Sequence, residues 1–74
     1  MKLEPIGSNK TVLYTENATI LFSYSTPVAA FIFGRGYVRT NQFFSTTTSK
    51  HINAWLGNNE AEKVDQTVLD ELVK

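Results

Sequence analysis

The chain has no cysteine and a single histidine, and between Glu16 and Glu60 it carries not one Asp or Glu. Each absence removes a class of chemistry. Without thiols there is neither a disulfide framework nor a thiolate metal site. At average composition about five acids would fall in a stretch of that length, and paired-carboxylate catalysis or a hard-cation site would draw on them. His51 stands alone, so a metal centre would need ligands that the acid-free stretch and the missing cysteines do not supply. No metal, no cofactor and no enzymatic activity are therefore expected. The absence of cysteine also fits a reducing compartment. The longest apolar run, Val28 to Phe33, is far too short to span a bilayer, and the Met1-Lys2-Leu3-Glu4-Pro5 start lacks the apolar core of a secretion signal. The expected location is the cytoplasm, with no membrane partner.

The acid gap divides the chain electrically. Residues 1–57 hold Lys2, Lys10, Arg35, Arg39 and Lys50 against Glu4 and Glu16, a balance of +3, whereas residues 58–74 hold Lys63 and Lys74 against Glu60, Glu62, Asp65, Asp70 and Glu71, a balance of −3. The formal net charge of zero thus conceals a dipolar molecule. Three cations spread through the acid-free stretch make a low-charge body and not a basic patch.

Seventy-four residues make one domain with a small core. What is present is a β-rich body. Thr11 to Thr15, Ala18 to Tyr24, Val28 to Phe33 and Tyr37 to Phe43 are rich in β-branched and aromatic residues, separated by Glu16-Asn17, Ser25-Thr26-Pro27 and Gly34-Arg35-Gly36. Short connections of this kind predict an antiparallel meander of three to four strands. A Ser25-Thr26 loop places Phe22 opposite Ala29 and Ile20 opposite Phe31, and the Gly-Arg-Gly loop places Phe33 opposite Tyr37. Ile20, Phe22, Phe31, Phe33 and Tyr37 are then expected on one face, and the milder Thr19, Leu21, Ser23, Ala30, Ile32, Val38 and Thr40 on the other.

Ser45-Thr46-Thr47-Thr48-Ser49 then runs into Lys50-His51-Ile52-Asn53-Ala54-Trp55-Leu56 and stops at Gly57. A hydroxyl cap, a stripe of Thr48, Ile52, Trp55 and Leu56, and a terminal glycine predict a helix whose Ile52 and Trp55 cover the aromatic sheet face. A second helix is expected after Asn58-Asn59, with Ala61, Val64, Val68 and Leu72 as its apolar line. That line, Val64, Val68 and Leu72 above all, needs burial on the milder sheet face or across a twofold dimer contact. The organisation is an N-terminal lead (1–10), a core of meander plus helix (11–57) and an acidic amphipathic helix (58–74), an α+β class.

Residues able to carry recognition are few. Arg35, Arg39 and Lys50 are the cations of the acid-free stretch, Tyr37 lies between the two arginines, and His51 sits at the edge of the first helix stripe one turn before Trp55. Nothing nearby orients His51 for catalysis with Ser45 or Ser49, so it reads as a structural or surface histidine. Arg35-Gly36-Tyr37-Val38 is a loose match to the aromatic strand of an RNA-binding sheet, but Val38 and Arg39 stand where a small residue and Phe would be needed.

Phe22 to Ala29, Gly36-Tyr37 and above all Ser45 to Gly57 resemble a pattern shared by short uncharacterised proteins of tailed bacteriophages, over roughly the middle two-thirds of the chain. The resemblance implies a viral origin, hence a host-cell cytoplasm, and leaves the mechanism open. Two functions follow as expectations. The first is a small non-enzymatic protein-binding module, an accessory or host-interaction protein that docks on a host protein, a viral protein or a second copy of itself. The alternative is a nucleic-acid-binding accessory protein using Arg35, Arg39 and Lys50, against which the sequence pI near 6.5 and the thin cation count weigh.

Overall fold

Residues rich in branched and aromatic side chains carry this chain through five antiparallel strands before its first helix. The computed structural model describes residues 2–7 and 9–73; Met1, Ser8 and Lys74, including the end positions of the expected lead and tail, lie outside the described residues. The strands are β1 (Lys2–Gly7), β2 (Lys10–Tyr14), β3 (Ala18–Ser23), β4 (Thr26–Ile32) and β5 (Gly36–Thr40), followed by α1 (Thr46–Leu56), β6 (Glu62–Val64) and α2 (Gln66–Leu72). The sheet order is β1-β2-β3-β4-β5-β6, with β6 parallel to β5. Parallel neighbours need a crossover, and α1 provides it.

The α+β class holds, but the meander has five strands where three to four were expected, and the sheet is mixed. Residues 2–7, expected as a lead, form β1. All six are exposed on both faces, so the strand lacks the alternation that announces a half-buried one. The expected C-terminal helix starts late. Glu62–Val64 instead pair with Val38–Thr40 and supply ladder partners for β5, and Asp65 stands at the N-cap of α2. Ala61 packs against the cluster beneath α1 while Val64 belongs to the cluster beneath α2, so the two never share a helix stripe.

The β3–β4 register differs from expectation by one residue. The hairpin closes at Ser23 and Thr26, with Tyr24 held at φ 58° in the turn, and Val28 is the extra residue of a bulge between the Leu21–Ala29 and Phe22–Pro27 pairs. Ile20 therefore faces Ala30, and Thr19 faces Phe31. A one-residue slip exchanges faces. Phe31, Phe33 and Tyr37 stay together, but Ile20 and Phe22 move to the opposite side, and Leu21 and Ser23, expected on the milder face, turn to α1.

The sheet is consequently covered on both faces. Under α1 lie Val12, Leu21, Val28, Ala29, Ile52 and Leu56, with Tyr37 and Trp55 packed at the margin. Under α2 lie Leu13, Ala18, Ile20, Ala30, Val38, Val64 and Leu69, with Val68 and Leu72 alongside. The last helix thus docks on the milder face of its own chain, with Ala30 and Val38 beneath it. Gln66 ties its first turn to the sheet by donating to the Pro27 carbonyl (2.7 Å) beside the bulge.

Both ends of α1 follow the sequence signals. Ser45 Oγ accepts from Thr48 N–H (3.1 Å), and Gly57 ends the helix at φ 60°, a conformation that strains any side chain.

Candidate functional site

Alternation along β5 puts Tyr37 and Arg39 on the α1 side of the sheet, yet the structure does not bring the five candidate residues together. Arg35 lies in the turn that enters β5, and Arg39 lies about 13 Å further along the chain at strand rise. Each group has its own surroundings.

At the entrance to β5, aromatic rings form an unbroken row. Phe33 meets Phe31 edge-on (centroids 5.7 Å), Phe31 meets Tyr37 (4.8 Å) and Tyr37 meets Trp55 of α1 (5.8 Å, near-perpendicular). These separations lie in the range of favourable ring pairs. Phe33 is 59% exposed while Phe31, Tyr37 and Trp55 are half-buried, so the row begins in solvent and ends under the helix. In register with it, Tyr14 pairs with Thr19, and Thr19 with Phe31, which extends the aromatic character across the sheet toward exposed Tyr14. Arg35 closes the end by an ion pair with Glu62 (3.2 Å). Both side chains are largely exposed, so the pair is worth little to stability.

At the exit of β5, Arg39 Nη1 donates to Asn53 Oδ1 (3.2 Å), and its Nε is buried without a partner. Lys50 is exposed on α1. His51 is half-buried: its Nδ1 lies 2.8 Å from Ser23 Oγ, and its ring packs 6.1 Å from Tyr24. Ser23 is in turn 3.0 Å from Thr48 Oγ1, which accepts from Ser45 Oγ (3.2 Å). A hydroxyl chain therefore runs Ser45, Thr48, Ser23, His51. Ser45 donates to Thr48; the Thr48–Ser23 and Ser23–His51 links fit either direction, because a hydroxyl both donates and accepts and the imidazole has two tautomers.

Sequence reasoning considered Ser45 and Ser49 beside His51 and missed Ser23, whose approach depends on α1 crossing the end of β3. A serine on an otherwise apolar strand, turned toward a helix that bears Thr48 and His51, is the signal available in hindsight. Ser23 is 2% exposed, and its buried hydroxyl is satisfied by Thr48 and His51. His51→Gln keeps a hydrogen-bonding group near Ser23, which also retains Thr48. It should cost at most about 1 kcal/mol, measured as the shift in urea midpoint at unchanged slope.

Between these features, beside the first turn of α1, lies a pocket of about 160 Å³ whose lining includes Arg39, Phe43, Phe44, Ser49 and Lys63. Sequence reasoning placed Lys63 on a helix and so did not associate it with Arg39.

A family profile described as a family of unknown function, DUF8033, matches residues 1–71. The chain belongs to that family. The DUF8033 match takes in the whole sheet, α1 and all but the last residue of α2, hence the aromatic row, the hydroxyl chain and the pocket together. Its description assigns no activity. No curated protein and no solved structure matches the chain. Among the described residues no helix is long and apolar enough to cross a membrane.

Proposed function

We propose that this DUF8033 chain is a small non-enzymatic protein-binding module, phage-encoded and cytoplasmic, that docks on a host protein, a viral protein or a second copy through the aromatic row at the entrance to β5. The observation that carries the reading is that row: four rings in successive contact, rising from beneath α1 to a Phe33 that is 59% exposed. Aromatic side chains whose rings are already held by neighbours give large contact area at low ordering cost, and they dominate the energetics of protein interfaces. Arg35 and Glu62 supply a polar rim with both charge signs. The viral origin rests on the resemblance carried by Ser45 to Gly57.

The alternative, nucleic-acid binding through Arg35, Arg39 and Lys50, draws on the same rings as a base-stacking platform. It is the weaker reading because Arg35 is already paired with Glu62 and Arg39 lies at the far end of the strand, so the cations do not form one track for a phosphate backbone.

Phe33→Ser tests the reading, with Leu3→Ser on β1 as a control of similar exposure. Immobilised parent and Leu3→Ser are expected to retain the same saturable protein from bacterial lysate, or to self-associate equally. Phe33→Ser should weaken that binding by about tenfold or more while its melting temperature stays within a few degrees. Undiminished binding by Phe33→Ser overturns the reading. A low-salt gel shift of single-stranded oligonucleotide that Phe33→Ser abolishes replaces it with the alternative.

A further inference from the structure

Arg39 and Lys63 are direct cross-strand partners in the parallel pairing of β5 with β6, and both line the pocket beside the first turn of α1. Like charges placed opposite each other on neighbouring strands repel and destabilise the sheet. Nothing in the pocket offsets them. No carboxylate belongs to its lining, and among the described residues neither cation has an ion-pair partner; the ion pair that is formed joins Arg35 to Glu62 elsewhere. Asp65, two residues beyond Lys63 and outside the pocket lining, accepts from the Asn41 side-chain amide (3.1 Å). Arg39 is held by one hydrogen bond that it donates to the neutral Asn53 Oδ1, so its charge is positioned without being neutralised.

The fold explains why such a place exists. β5, α1 and β6 form a crossover unit with parallel strands, and the pocket lies at the carboxyl end of β5, where the chain leaves for the helix. Here the chain leaving β5 is folded back by Gln42 N–H donating to Thr40 Oγ1 (3.1 Å), while Asn41 N–H donates to the Val64 carbonyl (2.8 Å) and closes the far side on β6. The loop so formed carries Phe43, 71% exposed, and Phe44, 39% exposed. Two adjacent phenylalanines at the mouth of a cationic pocket form an apolar rim, and Phe43 keeps most of its ring in solvent. Ser49 adds a hydroxyl to the lining.

We propose that this pocket binds a nucleoside monophosphate, its phosphate between Arg39 and Lys63 and its base against Phe43 and Phe44. Two adjacent unneutralised cations match the charge of a phosphomonoester, about −1.5 to −2 at neutral pH, better than that of a single carboxylate. Charge-assisted donors from Arg and Lys favour phosphate oxygens. The exposed rings offer faces on which a planar base can stack. The site is independent of the aromatic docking row, which lies at the other end of β5, and it stands or falls separately.

The test is a titration of the full chain at low ionic strength with AMP, inorganic phosphate and adenosine, followed by amide NMR. AMP and phosphate are expected to move the signals of Arg39, Ser49 and Lys63 saturably, AMP at lower concentration, while adenosine leaves them in place. Lys63→Gln should weaken AMP by about tenfold or more through loss of a charge-assisted contact. The same variant without ligand should melt no lower than the parent, because the cross-strand repulsion is gone. Phe43→Ser should reduce AMP to the affinity of inorganic phosphate and leave phosphate unchanged. No saturable shift with either anion, shifts that survive Lys63→Gln, or adenosine binding as well as AMP would each overturn the proposal. Phosphate binding that equals AMP binding and ignores Phe43→Ser would overturn the nucleotide assignment.

Discussion

Leu69→Ala should remove about 3 kcal/mol of stability, within the 2–5 kcal/mol range of buried leucine truncations. Leu69 is fully buried in the cluster formed with Ile20, Ala30 and Val38, none of which retains any exposure. Ala30 is too short to move into the space a missing isobutyl group would leave, so the cavity persists. A domain of this length has roughly 4–11 kcal/mol in total, and a loss of that size should lower the melting temperature by about 12–24 °C. Thermal melts monitored by circular dichroism check it. A change of only a few degrees would mean that α2 does not hold the sheet face, and the apolar residues beneath it would then be available to another chain. Truncation after Gly57 should be more severe still, because it also strips β6 from β5 and exposes the ladder edge.

Trp55→Ala should cost about 2 kcal/mol and lower the melting temperature by about 8–16 °C. The value sits below that of a fully enclosed aromatic because Trp55 is only half-buried, packed at the margin of the cluster that Ile52 and Leu56 anchor. Its near-perpendicular contact with Tyr37 accounts for roughly 0.5–1.5 kcal/mol of that loss, and the remainder comes from indole area returned to water. Since Trp55 is the only tryptophan, fluorescence reports on it directly. Emission should be intermediate between buried and solvated indole and shift to the red on unfolding. A fully solvated spectrum in the native protein, with an unchanged melt for Trp55→Ala, would place the indole outside the packed margin. Under the docking proposal, Trp55→Phe should retain most of the stability while binding weakens less than with Phe33→Ser, because the exposed end of the row carries the contact.

Much of this architecture was legible. Ser45 and Gly57 mark α1 because capping and left-handed termination are decided within one turn of chain, and the stripe of Thr48, Ile52 and Leu56 is buried as its spacing implies. The turns around residues 15–17 and 33–35 stand where polar or glycine residues interrupt β-forming runs; Thr15 Oγ1 stabilises the first by accepting from Ala18 N–H (3.0 Å). β1 and β6 escaped notice for different reasons. The first is exposed on both faces and has no alternation, and the second is three residues long and exists through its pairing with β5.

Of the candidate surface, residue types were legible but grouping was not. Arg35, Tyr37 and Arg39 are spaced two apart in sequence, which conceals that the first lies in the turn before β5, paired with Glu62, and the last faces Lys63. His51 reads as structural from its isolation in sequence, yet its partner Ser23 is 28 residues away.

Residue order by itself determined the β-rich body, the capped helix, the charge asymmetry between body and tail and the acid-free stretch between Glu16 and Glu60. These follow from backbone preferences and composition, which act over a few residues or none. Tertiary structure alone decided which face each strand turns to α1 or α2, where the tail becomes a strand before it becomes a helix, and which side chains stand together at either end of β5. The physical reason is that a pleated strand repeats every two residues. The bulge at Val28 and the turn at Tyr24 reassign whole faces at small local cost. That choice is made by the packing of both helices against the two faces of the sheet.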